Sequence, residues 1–254
     1  MVDYDSFEEF RDPETYDLIC DAYDEDRPLI EYWAKQLGAP LLDLACGTGR
    51  MAIHMTKLGY RVTGVDVVPE MIEYGKQKAA KQSVSIEWVL SDARNFHLGK
   101  QFTCVFMLEN AFQFFPTRAD HEALLACVHE HLHENGVFIF ETRNPSVRNL
   151  YELRLVDGQH YTLPDGRQLS ITEEASYDPI TQIQHFVTHR HWTLPDGRHE
   201  EKTLHGGLRY TFPQELEALL HYNGFQIHAR YGNWQQDPLT ADSPAMVLVC
   251  KKRA

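Results

Sequence analysis

The residues best suited to chemistry in this 254-residue chain are acids that end short apolar runs, and the first of them precedes a glycine turn. The stretch LLDLACGTGR, residues 41–50, sets Asp43 within an apolar run and follows it with Ala45, Cys46, Gly47, Thr48 and Gly49. Small residues at such a turn let backbone N–H groups and a helix N-terminus come close to a ligand. Asp66 ends the next apolar run, GYRVTGVD, 19 residues past Gly47. A carboxylate at that place can accept both hydroxyls of a ribose. The spacing Gly47-x-Gly49-x-x-Ala52, with Asp66 behind it, also fits the dinucleotide fingerprint in its G/A form. The turn alone therefore leaves a dinucleotide, a phosphate or another ribose-bearing ligand open. Asp43 can meet a ligand ammonium group or orient water, and Asp92, in Ser91-Asp92-Ala93, can meet an adenine amino group.

These acids need strands to present them. Apolar periodicity predicts a strand over 41–45, a helix over 50–58 stopped by Gly59, a strand in YRVTGVD and a helix over 69–81 with Pro69 at its start. VSIEWVLSD and FTCVFMLEN read as two more strands, 117–132 as a helix capped by Thr117 with Asp120, and GVFIFETRN as a fifth strand. This alternation implies a parallel sheet with helices on both faces. Residues 1–40 read as a helical cap of two helices, DPETYDLICDAYDED and RPLIEYWAKQLGA. From residue 158 to 210 the pattern changes to hairpins: TLPDGR occurs twice, with SYDPIT between, which predicts a four-strand antiparallel meander. The helix FPQELEALLHYNGF and the strands QIHARYGNW and AMVLVCK then complete the first unit. The expected organisation is thus a main domain of residues 1–157 and 211–254, interrupted by an insertion over 158–210.

Composition narrows the function classes. Residues 1–31 hold twelve acids against two arginines, so most of the net charge of −13 sits in that head. Nucleic-acid binders show a basic stripe instead, so no nucleic-acid partner is expected. No apolar run reaches the roughly eighteen residues that span a bilayer, and the acidic start does not read as a signal or transit peptide. No membrane partner is therefore expected, and the simplest location is the cytoplasm. Five scattered cysteines without a C-x-x-C pair argue for reduced thiols rather than a disulfide framework or zinc knuckle. His185, His189 and His191 share one face of an extended strand, yet no nearby carboxylate or cysteine in sequence completes a metal set, so no metal is expected.

LDLACGTGR, GYRVTGVDVVPEM and SDARNF together resemble the class I S-adenosylmethionine-dependent methyltransferases, and the likeness runs through nearly the whole chain. ENAFQFF and the C-terminal YTFPQELEALLHYNGF, YGNW and SPAMVLV resemble a poorly characterised small-molecule branch of that family. The resemblance implies a Rossmann-like seven-stranded sheet, mostly parallel with the last strand antiparallel, carrying an antiparallel β insertion after strand five. It implies S-adenosylmethionine as cofactor and S-adenosylhomocysteine as product. It further implies that Gly47 and Gly49 lie against the methionine and ribose portion and that Asp66 binds the ribose. Val67 and Met71 would flank the adenine, and Asp92 and Ala93 would border its edge. Residues from Met107 through Leu108, Glu109 and Asn110 would reach the methionine end, with Tyr16 and Tyr23 folding over the cofactor. Ala45, Cys46, Thr48 and Ser91 join the expected binding set as neighbours of these motifs. No catalytic side chain is assigned.

The expected activity is methyl transfer to an N, O or S atom of a small molecule, by a monomer or homodimer. The chain lacks the N/D-P-P-Y and Pro-Cys motifs of base-methylating enzymes. Two alternatives stand beside it: an NAD(P)-linked Rossmann oxidoreductase using the same glycine turn, and a catalytically silent S-adenosylmethionine-binding protein. The insertion is expected to roof the methyl group as a substrate lid, because ligands of open α/β sheets sit beyond the carboxyl ends of the strands.

Overall fold

The computed structural model describes residues 7–146, 150, 156–163 and 165–253. The first six residues of the acidic head, the stretch around 147–155 and Pro164 of the first PDG turn lie outside the described residues.

Seven strands form one sheet: β1 (Leu41–Leu44), β2 (Val62–Asp66), β3 (Glu87–Leu90), β4 (Phe102–Met107), β5 (Leu132–Arg143), β10 (Phe225–Tyr231) and β11 (Ala245–Lys252). Their order is β10-β11-β5-β4-β1-β2-β3. β1 to β5 pair in parallel, and β11 runs antiparallel to both β5 and β10. This is the expected seven-stranded sheet. The chain reverses its direction of travel across the sheet between β1 and β4, and such a switch point opens a crevice at the carboxyl ends of the strands.

The central strands read as unbroken apolar runs because both of their faces are covered. Leu42, Leu44, Val105, Met107, Phe138 and Phe140 pack on one face with α5 (Arg118–His131) and α6 (Pro213–Tyr222). Leu41, Cys104, Phe106, Val137 and Ile139 pack on the other with α2 (Arg27–Leu37), α3 (Arg50–Lys57) and α4 (Pro69–Lys81). The expected helix over 117–132 spans Arg118–His131, with Thr117 and Asp120 in a reciprocal capping box. Its last expected residue, Leu132, instead begins β5, four residues ahead of the predicted strand start. Leu132 pairs with Phe102 before a register shift, and its full burial holds the chain in the sheet there.

The N-terminal cap comprises a short 3-10 turn (Glu8–Arg11), α1 (Pro13–Cys20) and α2. The insertion is a separate four-stranded antiparallel sheet, β6 (Val156–Thr162), β7 (Gln168–Asp178), β8 (Ile183–Thr193) and β9 (His199–Arg209), in that order. Gly166 and Gly197 take positive φ at the two PDG turns, where a glycine is needed to bring the strands back into register. Phe186, Leu208 and Phe114 pack together where this sheet meets the main domain, and Trp192 packs with Leu18 of α1 in a second cluster. Among the described residues no helix is long and apolar enough to cross a membrane.

Trp88 fixes the distance between the glycine turn and its neighbours. A Cβ on Gly49 would stand 2.3 Å from the Trp88 ring, and one on Gly75 would stand 2.8 Å from it. Gly49 also sits at φ +79, in the left-handed region. Gly49→Ala should therefore lower unfolding free energy by ~1–3 kcal/mol from overpacking and by a further ~1–2 kcal/mol from the backbone conformation. Urea denaturation of Gly49→Ala, alone and combined with Trp88→Leu, checks this. The double variant should recover the packing part alone.

Candidate functional site

A cavity of about 250 Å3 opens at the carboxyl ends of β1, β2, β3 and β4. Eleven of the seventeen expected binding residues wall it: Tyr16, Ala45, Gly47, Asp66, Val67, Met71, Ser91, Asp92, Ala93, Leu108 and Glu109. Residues not anticipated complete the wall, chiefly Phe7, Phe10, Phe114, Phe115 and Arg94. The two C-terminal phenylalanines belong to the ENAFQFF stretch, which gave a signal. The two from the N-terminal segment carry none, because only tertiary docking brings that segment over the strand ends.

Asp66 is 8% exposed and anchors the turn from across the crevice. Its Oδ2 accepts from the Gly47 N–H at 2.8 Å, and its Oδ1 from the Val68 N–H at 2.9 Å. The Val67 N–H donates as well, and the carboxylate still retains acceptor capacity for a ligand hydroxyl. Burial pushes its carboxyl up, and those backbone donors pull it back. Tyr16 covers the turn, with its hydroxyl 3.7 Å from where a Gly47 Cβ would lie. Burial, then Cys20 and Glu109, hold that phenol well above its ordinary range, so it is neutral.

The other expected residues take different places. Asp43 is 3% exposed and stands outside the cavity wall. Its Oδ2 accepts from the Ala52 N–H at 3.0 Å, so it caps the start of α3 from the end of β1. Burial pushes its carboxyl up to about 7, against the pull of Arg50. Thr48 is buried, and its hydroxyl donates to Asp17 of α1. The Cys46 thiol packs on Gly64, with burial raising it well above its usual range, and Gly49 packs on Trp88. Asp92 lines the cavity but is gripped by Arg94, whose Nη2 lies 2.6 Å away and whose other contact is Asp120. Tyr23 and Asn110 face a second cavity of about 510 Å3, together with Glu25, Glu141, Arg143, Tyr210 and Trp234. Consecutive residues line the two cavities, Glu109 the first and Asn110 the second. Ala45, Glu109 and Asn110 all hold positive φ. Such strain is held only where the surroundings enforce it.

The donor set tells a phosphate from a sulfonium. A phosphate-binding turn leaves its N–H groups and helix start free. Here the Gly47 N–H is given to Asp66 and the Ala52 N–H to Asp43. Among the described wall residues Arg94 is the single cation, and two aspartates neutralise it. Asp66, Asp92 and Glu109 instead make the wall acidic. This chemistry fits a ribose-bearing ligand with positive charge and no phosphate.

Comparison with known proteins agrees. Residues 41–136 match the family model described as a methyltransferase domain. The chain is 24% identical to the cypemycin N-terminal methyltransferase of a Streptomyces species, over 94% of this chain and 95% of that protein. It is 27% identical to a putative methyltransferase of a Geobacillus species, over 48% of this chain, a match that spans only about half (51%) of that relative. The fold is shared with the sugar N-methyltransferase KedS8 of Streptoalloteichus, at a TM-score of 0.73 and 18% identity over 100% of this chain and 95% of that one. The matched domain, strand order and cavity chemistry together support a class I S-adenosylmethionine-dependent methyltransferase. Residues 41–136 are the part that matches the methyltransferase domain, and the cofactor is S-adenosylmethionine.

Arg50, the first residue of α3, joins the parts of this site. Its Nη1 donates to the Tyr23 carbonyl at 2.7 Å and to Asp26 Oδ1 at 2.9 Å, and its Nη2 bonds Asp26 Oδ2 and Glu109 Oε1. Asp26 is fully buried. Arg50→Met should therefore cost ~3–5 kcal/mol, because it strands a buried charge. Adding Asp26→Asn should restore much of that loss in the same urea titration.

The Asp43 carboxyl titrates near 7 in the folded chain, against about 3.9 when unfolded. Between those values the native state binds the extra proton, so stability falls as pH rises through that window. Asp43→Asn should flatten the fall. Unfolding free energies measured from pH 4 to 8 on both proteins check the slope.

Proposed function

We propose that this enzyme methylates a nitrogen atom of an amine-bearing small molecule. The observation that carries this reading is the second cavity, whose wall residue Asn110 directly follows Glu109 of the first and which holds the carboxylates of Glu25 and Glu141 beside Arg143. An acidic wall favours a cationic or hydrogen-bond-donating acceptor over a neutral thiol or an acid. KedS8 bears a name that specifies nitrogen, which supports the same choice of atom.

S-adenosylmethionine supplies a methyl group on a positively charged sulfur that leaves as a neutral thioether. The chain's own task is then to position the acceptor and exclude water. In this reading Asp66 holds the ribose, Val67 and Met71 flank the adenine, and Tyr16 closes over the turn. The inserted sheet closes the acceptor end as a lid: Tyr210, just after β9, walls the second cavity. Gln113 supports that closure by donating to the Arg209 carbonyl while accepting from the Arg143 N–H.

Two measurements test the reading. S-adenosylhomocysteine should raise the melting temperature and NAD should not, since a ligand of the native state stabilises by mass action. Stabilisation by NAD alone would return the oxidoreductase reading. Asp66→Ala should weaken S-adenosylhomocysteine by about tenfold or more in calorimetry, from the loss of ~1.5–3 kcal/mol of bonds to a charged acceptor. Labelled methyl transfer into fractionated amine, alcohol and thiol pools then reports the atom, and label confined to alcohols or thiols would refute nitrogen.

A further inference from the structure

We infer that Glu141 is the side chain that binds the acceptor's ammonium group and takes its proton, with Trp234 and Asn110 holding the carboxylate in place. The inference rests on the amine reading above and assigns the acid–base residue that reading lacks.

Glu141 lies near the end of β5, one residue beyond Phe140, which pairs with Met107 at the end of β4. It is 6% exposed, and the little surface it keeps belongs to the second cavity. Oε2 accepts from the Trp234 indole Nε1 at 2.8 Å, and Trp234 is itself 3% exposed. The backbone N–H of Asn110 also donates to this carboxylate. Asn110 sits at φ +56, directly after Glu109 at φ +54. The strained pair thus directs one peptide toward Glu141 while Glu109 faces the cofactor cavity.

Among the described residues no cation pairs with Glu141. Arg143 is in the same cavity wall and, two residues along the strand, on the same face of β5, but the carboxylate its charge stabilises is Glu9, not Glu141. Arg50 is spent on Asp26, Glu109 and the Tyr23 carbonyl. The groups facing Glu141 are therefore the neutral Trp234 and Asn110, the acids Glu109 and Asp26, and, in the same cavity wall, Tyr23, Glu25 and Arg143. The Asn110 Oδ1 is a buried acceptor without a hydrogen-bond partner. A buried carboxylate and an unpartnered carbonyl oxygen in one cavity call for a ligand rich in N–H donors. An ammonium supplies them and an alcohol or thiol does not.

Burial, then Glu109 and Asp26, push this carboxyl up to about 7, against the pull of Trp234 and the Asn110 N–H. A group titrating there can accept a proton near neutral pH and release it afterwards to solvent. The step is one proton transfer. The N–H bond of the ammonium breaks, an O–H bond forms on Glu141, and the electron pair stays on nitrogen as the lone pair that attacks the methyl carbon.

The test uses the full chain saturated with S-adenosylhomocysteine and follows the indole 1H–15N signal of Trp234, identified with Trp234→Phe. The probes are methylamine, cyclohexylamine and benzylamine beside methanol, cyclohexanol and benzyl alcohol. At least one amine should shift the signal saturably where its alcohol does not, and Glu141→Gln should weaken that amine by tenfold or more. In the unliganded wild-type chain the signal should titrate between about pH 6 and 8, a readout that needs no variant. Matched responses to amine and alcohol, no response to any amine, unchanged affinity in Glu141→Gln, or a flat titration would each overturn the assignment. Failure of S-adenosylhomocysteine to bind would instead refute the functional reading beneath it.

Discussion

The guanidinium of Arg50 is the constraint on which the rest of the site depends. It holds a fully buried aspartate by two parallel bonds, and its remaining donors reach a carbonyl of the N-terminal cap and a glutamate after β4. A planar fork matches such a carboxylate and a lysine would not. Three segments distant in sequence converge on this one cation: the cap, the start of α3 and the strained loop after β4. Removing two charges from water is costly, and good geometry with further hydrogen bonds is what offsets it. The pair therefore specifies how the cap sits over the glycine turn more than it adds to total stability.

The acidic head has the same logic. Asp17 and Asp21 meet Lys78 of α4, Asp12 lies 3.6 Å from Arg190 of β8, and Lys202 of β9 lies 3.2 Å from Glu8. The charge that reads in sequence as a tail repelling polyanions is, in the fold, a set of clamps. They fasten the cap to the main domain on one side and to the inserted sheet on the other. The exposed Lys202–Glu8 pair is individually weak, whereas Lys78 and Arg190 are largely buried, and all act on a segment already placed by Leu18, Tyr16 and Phe10.

The inserted sheet is joined to the main domain by a buried polar junction. Arg209 at the end of β9 bonds the His121 ring at 2.9 Å and Glu215 of α6 at 2.5 Å, while Gln113 bridges β9 to β5. Burial and the adjacent guanidinium keep His121 neutral, down to about 4. A neutral ring beside a cation accepts its hydrogen bond instead of repelling it. This junction fixes the end of the inserted sheet at Arg209, one residue before the Tyr210 that walls the second cavity.

Local chemistry decided much that was legible in the residues alone. Alternating apolar runs and glycine stops marked the strands and helices, the Thr117 capping box and PDG turns marked their ends, and the motifs around Gly47, Asp66 and Asp92 marked the cavity at the strand ends. These features are legible because each rests on neighbours within a few residues. Only the tertiary structure decided that Asp43 caps α3, that Thr48 bonds Asp17, that Gly49 is small because of Trp88, and that Phe7 and Phe10 wall the crevice. Glu141 is the plainest case. In sequence it is one acid at the end of FIFE; in the fold the indole of Trp234, 93 residues later, bonds it beside a cavity. Periodicity states which side of a strand a residue faces, but not which distant side chain waits there. Burial and hydrogen-bond pairing belong to the packed chain as a whole, so they appear only when it is folded.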